Sequence, residues 1–217
     1  MIKADHKTWA KFVFDIYLKG LLKKSFFDFR IINEQPEIDQ SKSLILTPNH
    51  FSWWDGFFVY WLNNRTLNKK LFIMMLEDQL KRYWFFQKVG CYSIDLNDNR
   101  KIVASLKYTI DLLSNSDNII TIYSQGEIQA YDEKKIVLKD GIDFIAKKST
   151  VDFQILPLAF RIHYSNEKLP IVYARFGKLL NSKEIAENPQ LFKVEFVNNL
   201  ELINSEYSTA KYKSILN

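Results

Sequence analysis

The sequence predicts a single α/β domain with a mixed, largely parallel sheet flanked by helices and an amphipathic helix at the N-terminus. Three observations support this prediction. The chain has 217 residues, which is enough to enclose one packed core. Its hydrophobic fraction of 47% and its few Gly and Pro residues exclude collagen-like, low-complexity and disordered chains. Short apolar runs alternate with helical patterns, as in sheets whose parallel strands are joined by helices.

The basic N-terminal segment, residues 1–35, is predicted to be a membrane-surface helix, and residues 36–217 to be the α/β domain. Residues 1–30 carry seven Lys or Arg against three Asp, a net charge of +4 out of +5 for the chain. Such a helix either lies on an anionic bilayer or packs against the domain, and the sequence leaves both open. Its apolar stripe consists of Trp9, Phe12, Val13, Ile16 and Gly20, widened by Phe14, Leu18, Leu21 and Leu22.

The remaining elements follow from local patterns. Strands are predicted where short runs are rich in β-branched or aromatic side chains. These runs cover residues 44–47, 71–75, 119–123, 153–160 and 171–176. Helices are predicted between them from apolar residues at a 3.6-residue period. They cover residues 55–63, 77–88, 100–113, 141–148 and 189–207, the last of which begins at a proline.

A candidate catalytic pair lies where the first of these strands ends and a helix begins, the position at which α/β folds place their sites. His50 precedes Asp55 by five residues there. An aspartate that accepts a hydrogen bond from one ring nitrogen leaves the other free to accept a proton. We therefore interpret His50 as a general base and Asp55 as its orienting partner. Ser52 and Asp55 also have capping-box spacing, so the alternative is that Asp55 only caps the helix.

Residues 49–55, Asn-His-Phe-Ser-Trp-Trp-Asp, resemble the first motif of the glycerolipid acyltransferases, Asn-His-x-Ser-x-x-Asp. This family is typified by 1-acylglycerol-3-phosphate acyltransferase, and every specified position matches. The resemblance implies that His50 deprotonates an acceptor hydroxyl or amine, which attacks the thioester of acyl-CoA or acyl-carrier protein. No bound cofactor is expected, since the thioester is a co-substrate. Backbone N–H groups near Gly126 or Ser52 are candidate donors to the oxyanion.

Three weaker counterparts follow in the family's order. Residues 90–96, Gly-Cys-Tyr-Ser-Ile-Asp-Leu, resemble Gly-x-x-Phe-Ile-Asp-Arg, and residues 123–129, Tyr-Ser-Gln-Gly-Glu-Ile-Gln, resemble Phe-Pro-Glu-Gly-Thr-Arg-Ser. Residues 155–159, Ile-Leu-Pro-Leu-Ala, resemble a strand of Val-Pro-Val character. The resemblance therefore extends over residues 44–160. The candidate substrate-binding residues are Asp95, Arg100, Gln125, Gly126 and Glu127.

The resemblance is weaker for the acceptor than for the reaction, because the family's phosphate-binding positions differ here. Leu96, Ile128 and Gln125 stand where the family has two arginines and a glutamate. Arg100, Lys101 and Arg161 are nearby cations that can replace the missing arginines. The carboxylate of Glu127 repels a phosphate, which favours a hydroxyl- or amine-bearing head group as the alternative acceptor, unless Glu127 only faces solvent. A catalytically silent lipid-binding relative is a further alternative.

The composition and the charge distribution argue against several other classes of function. The single cysteine, Cys91, lies in an apolar stretch and favours a buried thiol over a nucleophile. Three His and one Cys predict no metal site. The excess positive charge is confined to one amphipathic helix, which argues against nucleic-acid binding. No apolar run approaches the ~20 residues that span a bilayer. We therefore expect a peripheral protein on anionic lipids at the cytoplasmic face of the membrane.

Overall fold

The computed structural model of the chain describes residues 1–131 and 136–216. Within these residues, helices cover both faces of one nine-stranded sheet, which confirms the predicted α/β class. The helices are α1 (Thr8–Ser25), α2 (Asp55–Arg65), α3 (Glu77–Arg82), a 3₁₀ helix (Trp84–Val89), α4 (Asn99–Leu113), α5 (Gly141–Lys148), α6 (Ser182–Glu187) and α7 (Pro189–Glu206). The strands are β1 (Asp28–Ile31), β2 (Ser43–Pro48), β3 (Lys70–Leu76), β4 (Cys91–Ile94), β5 (Asn118–Thr121), β6 (Phe153–His163), β7 (Ile171–Phe176), β8 (Leu180–Asn181) and β9 (Lys213–Ser214).

The strand order explains why distant motifs meet at one edge of the sheet. The order is β4-β3-β5-β2-β6-β7-β1-β9, and β8 pairs with β6. The five strands from β4 to β6 in this order are parallel, whereas β7 runs antiparallel to β6. The carboxyl ends of β2, β4, β5 and β6 therefore lie at the same edge, where α/β folds place their sites.

The two faces of the sheet carry separate parts of the core. On one face, α1 and α2 pack on the sheet through side chains such as Leu18 and Phe58. On the other face, α4, α5, α6 and α7 pack through side chains such as Ile145 and Phe196. All four of these side chains are almost completely buried. The sheet is thus held rigidly between two layers, which fixes the loops at its edge.

Helix α1 presents apolar side chains on two sides. Ala10, Phe14, Leu18 and Leu22 recur every four residues and are buried in the core. The stripe formed by Trp9, Phe12, Val13 and Ile16, by contrast, faces outward, with Phe12 66% and Ile16 61% exposed. The helix therefore serves the core with one stripe and leaves the other uncovered.

Several elements differ from the sequence predictions. The predicted helix over residues 77–88 is interrupted at Tyr83, whose φ of −113° and ψ of 55° are not helical, so α3 ends there and a 3₁₀ helix follows. The sequence analysis did not predict the short strands β1, β4, β8 and β9 or the helix α6. Each of them has six residues or fewer, which is too short to show a clear hydrophobic period. Strand β1, which precedes residue 35, pairs with β7. The residues on either side of the predicted boundary at residue 35 are therefore packed together in one sheet.

Candidate active site

Asn49 fixes the loop that carries the candidate base. It follows β2, and its side-chain amide donates to the Phe160 carbonyl at 3.0 Å. Its Oδ1 accepts from the Phe160 backbone N–H at 2.7 Å. Because the neighbouring strand β6 holds both ends of this amide, the chain leaves the sheet in a defined direction at His50.

His50 and Asp55 form the pair that their spacing predicts. Nδ1 of His50 lies 2.8 Å from Oδ2 of Asp55, and the imidazole is 23% exposed while the carboxylate is fully buried. The same oxygen of Asp55 accepts from the backbone N–H groups of Phe51 and Ser52, at 2.8 and 2.9 Å. Asp55 thus contacts the imidazole and also closes the turn that leads into α2, and its part in catalysis stays a prediction.

Ser52 does not cap α2. The helix begins at Asp55 with Trp54 as its N-cap residue, and Ser52 Oγ accepts instead from the Trp54 N–H at 3.1 Å. The backbone makes a tight turn between Ser52 and Asp55 before the helix starts, so Ser52 lies two residues before the N-cap position.

Burial and hydrogen bonding act on Asp55 in opposite directions. Burial raises the pKa of its carboxyl group above the usual value, and the bonds from His50, Ser52 and Phe51 only partly offset this. Its Oδ1 has no hydrogen-bond partner among the described residues. The carboxylate is therefore strongly dependent on His50 and the two backbone amides for its stabilisation.

Tyr123 contacts the open face of the candidate base, a role that sequence reasoning missed. Its ring stacks on the imidazole of His50, with 4.3 Å between centroids and 29° between planes. Its hydroxyl is buried without a partner among the described residues, and burial followed by the charge of Asp55 raises its pKa well above the usual value. Tyr123 therefore stays neutral beside the imidazole. The available signal was its position two residues after β5, the neighbour of β2.

Gln125 holds the backbone of His50. Its Oε1 accepts from the His50 N–H at 2.6 Å, and its Nε2 donates to Oε1 of Gln129 at 2.7 Å. The backbone N–H of Gln129 in turn donates to the His50 carbonyl at 2.9 Å. These bonds form a closed ring, in which both Oε1 and Nε2 of Gln125 take part in holding the backbone of His50. The part of Gln125 in substrate binding stays a prediction.

Gly126 and Glu127 lie beside this ring. Gly126 has a φ of +78°, and a Cβ there would lie 3.2 Å from Cγ of Lys139, which covers it. Its N–H donates to the Tyr123 carbonyl, and the Ser52 N–H donates to Asp55, so neither of these two predicted oxyanion donors is free. The side chain of Glu127 is exposed.

Asp95 and Arg100 are not brought to His50. They follow β4, which β3 and β5 separate from β2, a distance of roughly 14 Å at the usual strand spacing. Asp95 accepts from Lys101 Nζ at 2.8 Å, and this bond chiefly lowers the pKa of its carboxyl group. Lys101 also pairs with Glu77, and Arg100 is exposed on the first turn of α4.

Three candidates remain to be described: the thiol of Cys91, a metal site and the aromatic cluster after His50. Cys91 is buried in β4, and burial raises the pKa of its thiol to about 12, which makes it a poor nucleophile. No group of three or more potential ligands for a metal ion occurs within residues 1–131 and 136–216. In the aromatic cluster after His50, the rings that belong to the core lie within α2, whereas Trp53 is 59% exposed.

Comparisons with known proteins show the family and the fold of the chain. Residues 30–161, more than half of the chain, match the family described as Acyltransferase. The 1-acyl-sn-glycerol-3-phosphate acyltransferase of Streptococcus pneumoniae (strain ATCC BAA-255 / R6) is 24% identical over 156 residues, covering 68% of this chain and 54% of that protein. The chain thus spans about half the length of this curated relative.

A solved structure has a similar fold. The 1-acyl-sn-glycerophosphate (LPA) acyltransferase PlsC from Thermotoga maritima superposes with a TM-score of 0.61 at 17% identity. The match covers 94% of this chain and 83% of that one. At this level of identity the likeness concerns the fold.

Proposed function

This chain belongs to the acyltransferase family, and we propose that it moves a fatty acyl group from acyl-CoA or acyl-carrier protein to a hydroxyl group of a lysophosphatidic acid-type acceptor. The observation that carries the proposal is the contact of 2.8 Å between His50 Nδ1 and Asp55 Oδ2. The buried carboxylate favours the tautomer with the proton on Nδ1, so Nε2 is the nitrogen that accepts a proton.

The proposed reaction is a direct transfer. His50 Nε2 takes the proton of the acceptor hydroxyl as its oxygen attacks the thioester carbonyl, and Asp55 stabilises the imidazolium that forms. The tetrahedral intermediate then collapses, the carbon–sulfur bond breaks, and the thiolate takes the proton back from His50. The products are the acylated lipid and a free thiol, and His50 returns to its starting state. The name of the curated relative supports a phosphate-bearing acceptor.

We further propose that α1 holds the protein on the cytoplasmic face of a membrane. Its outward stripe of large apolar side chains is unusual on a surface that meets only water. Lys19, Lys23 and Lys24 are exposed on the same helix and complement anionic head groups. Among the residues described, no helix combines the length and apolar character needed to cross a bilayer.

The acyl chain has a suitable groove beside this stripe. A cavity of about 410 Å³ lies between α1 and the 3₁₀ helix. Phe57 connects it to the catalytic loop, since its ring centroid is 5.9 Å from that of Phe86 and 4.7 Å from that of Trp53. We propose that the acyl chain of the donor occupies this groove. The lining residues are Val13, Phe14, Tyr17, Arg82, Tyr83, Trp84, Phe85 and Phe86.

Turnover with purified full-length protein tests the function directly. The assay offers lysophosphatidic acid and either acyl-CoA or acyl-carrier protein, and the acylated product is measured by mass spectrometry. We expect His50→Ala and Asp55→Asn to lower kcat by roughly 10²- to 10⁴-fold, the usual contribution of general acid–base catalysis.

Asp78→Asn is the matched control, because the side chain of Asp78 is 93% exposed and lies outside the site. Thermal unfolding of each variant separates loss of catalysis from loss of folding. Full activity of a folded His50→Ala variant would contradict the mechanism.

A further inference from the structure

Arg161 is held in a fixed position near the end of β6. Its guanidinium carbon lies 4.3 Å from the ring centroid of Tyr207 and 5.1 Å from that of Tyr131. Its Nη1 donates to Oδ1 of Asn204, which also accepts from the Tyr131 hydroxyl. Two aromatic rings and an amide oxygen therefore immobilise this cation before any ligand binds.

The guanidinium retains unused hydrogen-bonding capacity. It has five N–H groups, of which Asn204 takes one. Its Nε is buried and has no acceptor among the described residues. On β7 and β1, Arg175 pairs with Glu206 and Arg30 with Asp28, whereas no carboxylate in the described part of the chain pairs with Arg161. A partly buried cation of this kind is stabilised when an anion supplies the missing acceptors.

The position of Arg161 places it at the catalytic edge of the sheet. Pro48 of β2 pairs with Leu158 of β6. Arg161 is three residues beyond this pair on β6, and Phe51 is three residues beyond it in the loop that follows β2. The ring of Phe51 is 5.0 Å from that of Tyr131, between centroids, and Tyr131 covers one face of the guanidinium. Only one strand spacing, about 5 Å, separates β6 from the strand that leads into His50.

We propose that Arg161, held between Tyr131 and Tyr207, binds a phosphate group of a substrate at the catalytic centre. A guanidinium fork matches two phosphate oxygens, and a fixed fork loses little entropy when it binds. The other two candidate cations are less suited, since Lys101 is paired with two carboxylates and Arg100 is exposed on a helix three strands away. The proposal rests on the proposed function. The phosphate belongs either to the head group of the acceptor or to the thioester donor.

Binding measurements on the full chain test the site without turnover. Inorganic phosphate, glycerol 3-phosphate and coenzyme A are titrated by calorimetry into the wild type and Arg161→Gln. We expect Arg161→Gln to weaken at least one of these phosphate ligands tenfold or more. Arg161→Lys, which keeps the charge but loses the fork, should give an intermediate affinity. Arg65→Gln is the matched control, because Arg65 also stacks on an aromatic ring, 3.6 Å from Trp61, but lies at the far end of α2.

Kinetics then identify the source of the phosphate. If it belongs to the acceptor, Arg161→Gln raises the KM for lysophosphatidic acid and leaves the KM for acyl-CoA unchanged, and monoacylglycerol is used equally by both proteins. If it belongs to the donor, the KM for acyl-CoA rises instead.

Unchanged affinities and unchanged KM values in folded Arg161→Gln would overturn the proposal. A variant that loses only thermal stability would overturn it as well, because Arg161 would then have a structural role alone. If Arg161→Gln does not fold, the comparison is made with Arg161→Lys, and wild-type affinity for all three ligands would have the same consequence. If the wild type is inactive with every donor and acceptor, the proposed function is contradicted instead. The two failures can be distinguished, because the binding measurements do not depend on turnover.

Discussion

His50 is held by three neighbours that act on different parts of the residue. Asp55 binds one ring nitrogen, Tyr123 covers a ring face, and Gln125 accepts from the backbone N–H. Catalysis by a general base depends on placing the accepting nitrogen within hydrogen-bond reach of the proton. The backbone contact therefore matters as much as the carboxylate, because a shift of the main chain moves the whole imidazole.

Replacing Gln125 tests this positioning. Gln125→Leu breaks the ring of bonds through Gln129, and we expect kcat to fall by about ten- to a hundredfold, since small displacements of a catalytic group have effects of this size. Gln125→Glu should recover most of the activity, because a carboxylate still accepts from the His50 N–H while the amide of Gln129 turns to donate to it.

The matched control for this replacement is Gln154→Leu, which changes another buried glutamine, on β6, whose side-chain oxygen has no partner among the described residues. Its kcat should stay at the wild-type value. The positioning role is excluded if Gln125→Leu and Gln154→Leu have the same kinetics.

Among the secondary-structure elements, β4 depends on the bend that precedes it. Gly90 joins the 3₁₀ helix to β4 with a φ of +113°. A Cβ there would lie 2.3 Å from the Leu71 carbonyl and 2.6 Å from Nε2 of His6. Side chains rarely adopt this backbone conformation, and the neighbouring backbone leaves no room for one. The glycine that begins the second family motif is thus explained by the path of the backbone.

Gly90→Ala should therefore destabilise the fold by about 2 kcal/mol or more, the sum of backbone strain and steric contact. Denaturant-induced unfolding of the purified protein measures this change. Gly20→Ala is the control, because nothing lies within 4 Å of a Cβ in the middle of α1, and there we expect a gain of about 0.5–1 kcal/mol. Equal midpoints for Gly90→Ala and the wild type would show that the loop relaxes freely.

For the molecule as a whole, the uncovered stripe of α1 lies beside other exposed aromatic side chains. The ring of Trp9 contacts that of Phe85, and Trp84 next to it is 59% exposed. The same helix carries Lys11, Lys19, Lys23 and Lys24 against Asp15, a net charge of +3. Apolar area and positive charge on one surface together favour binding to anionic bilayers.

Vesicle binding tests this surface. The triple variant Trp9→Ser, Phe12→Ser, Ile16→Ser should lose roughly a hundredfold or more in affinity for phosphatidylglycerol-containing vesicles, because three large apolar side chains no longer enter the bilayer. Added salt should weaken wild-type binding by screening Lys19, Lys23 and Lys24.

The control for the vesicle experiment is the double variant Tyr164→Ser, Val194→Ser, which removes exposed apolar side chains elsewhere on the surface. It should bind as the wild type does. Equal binding by the triple variant and this control would rule out α1 as the docking surface.

Much of the architecture was predictable from local patterns. The boundaries of α5 and β7 agree with their predicted ranges, because each begins and ends with its own hydrophobic pattern. The short strands at the sheet margins were missed, since two to four residues carry no detectable period and depend on pairing with a neighbour for their structure. The break at Tyr83 was missed for a different reason. The aromatic residues around it are compatible with an α-helix and with a 3₁₀ helix.

The sequence by itself determined the α/β class, the amphipathic first helix, the resemblance to acyltransferases and the pairing of His50 with Asp55. All of these rest on local patterns or short motifs, which consist of residues that are close together in the chain. Only the tertiary structure decided that Gln125, 75 residues from His50, holds its backbone, and that Arg161 lies on the strand next to β2 whereas Asp95 and Arg100 follow a strand three positions away. Those relations depend on which strands are neighbours in the sheet, and strand order is set by the packing of the whole chain.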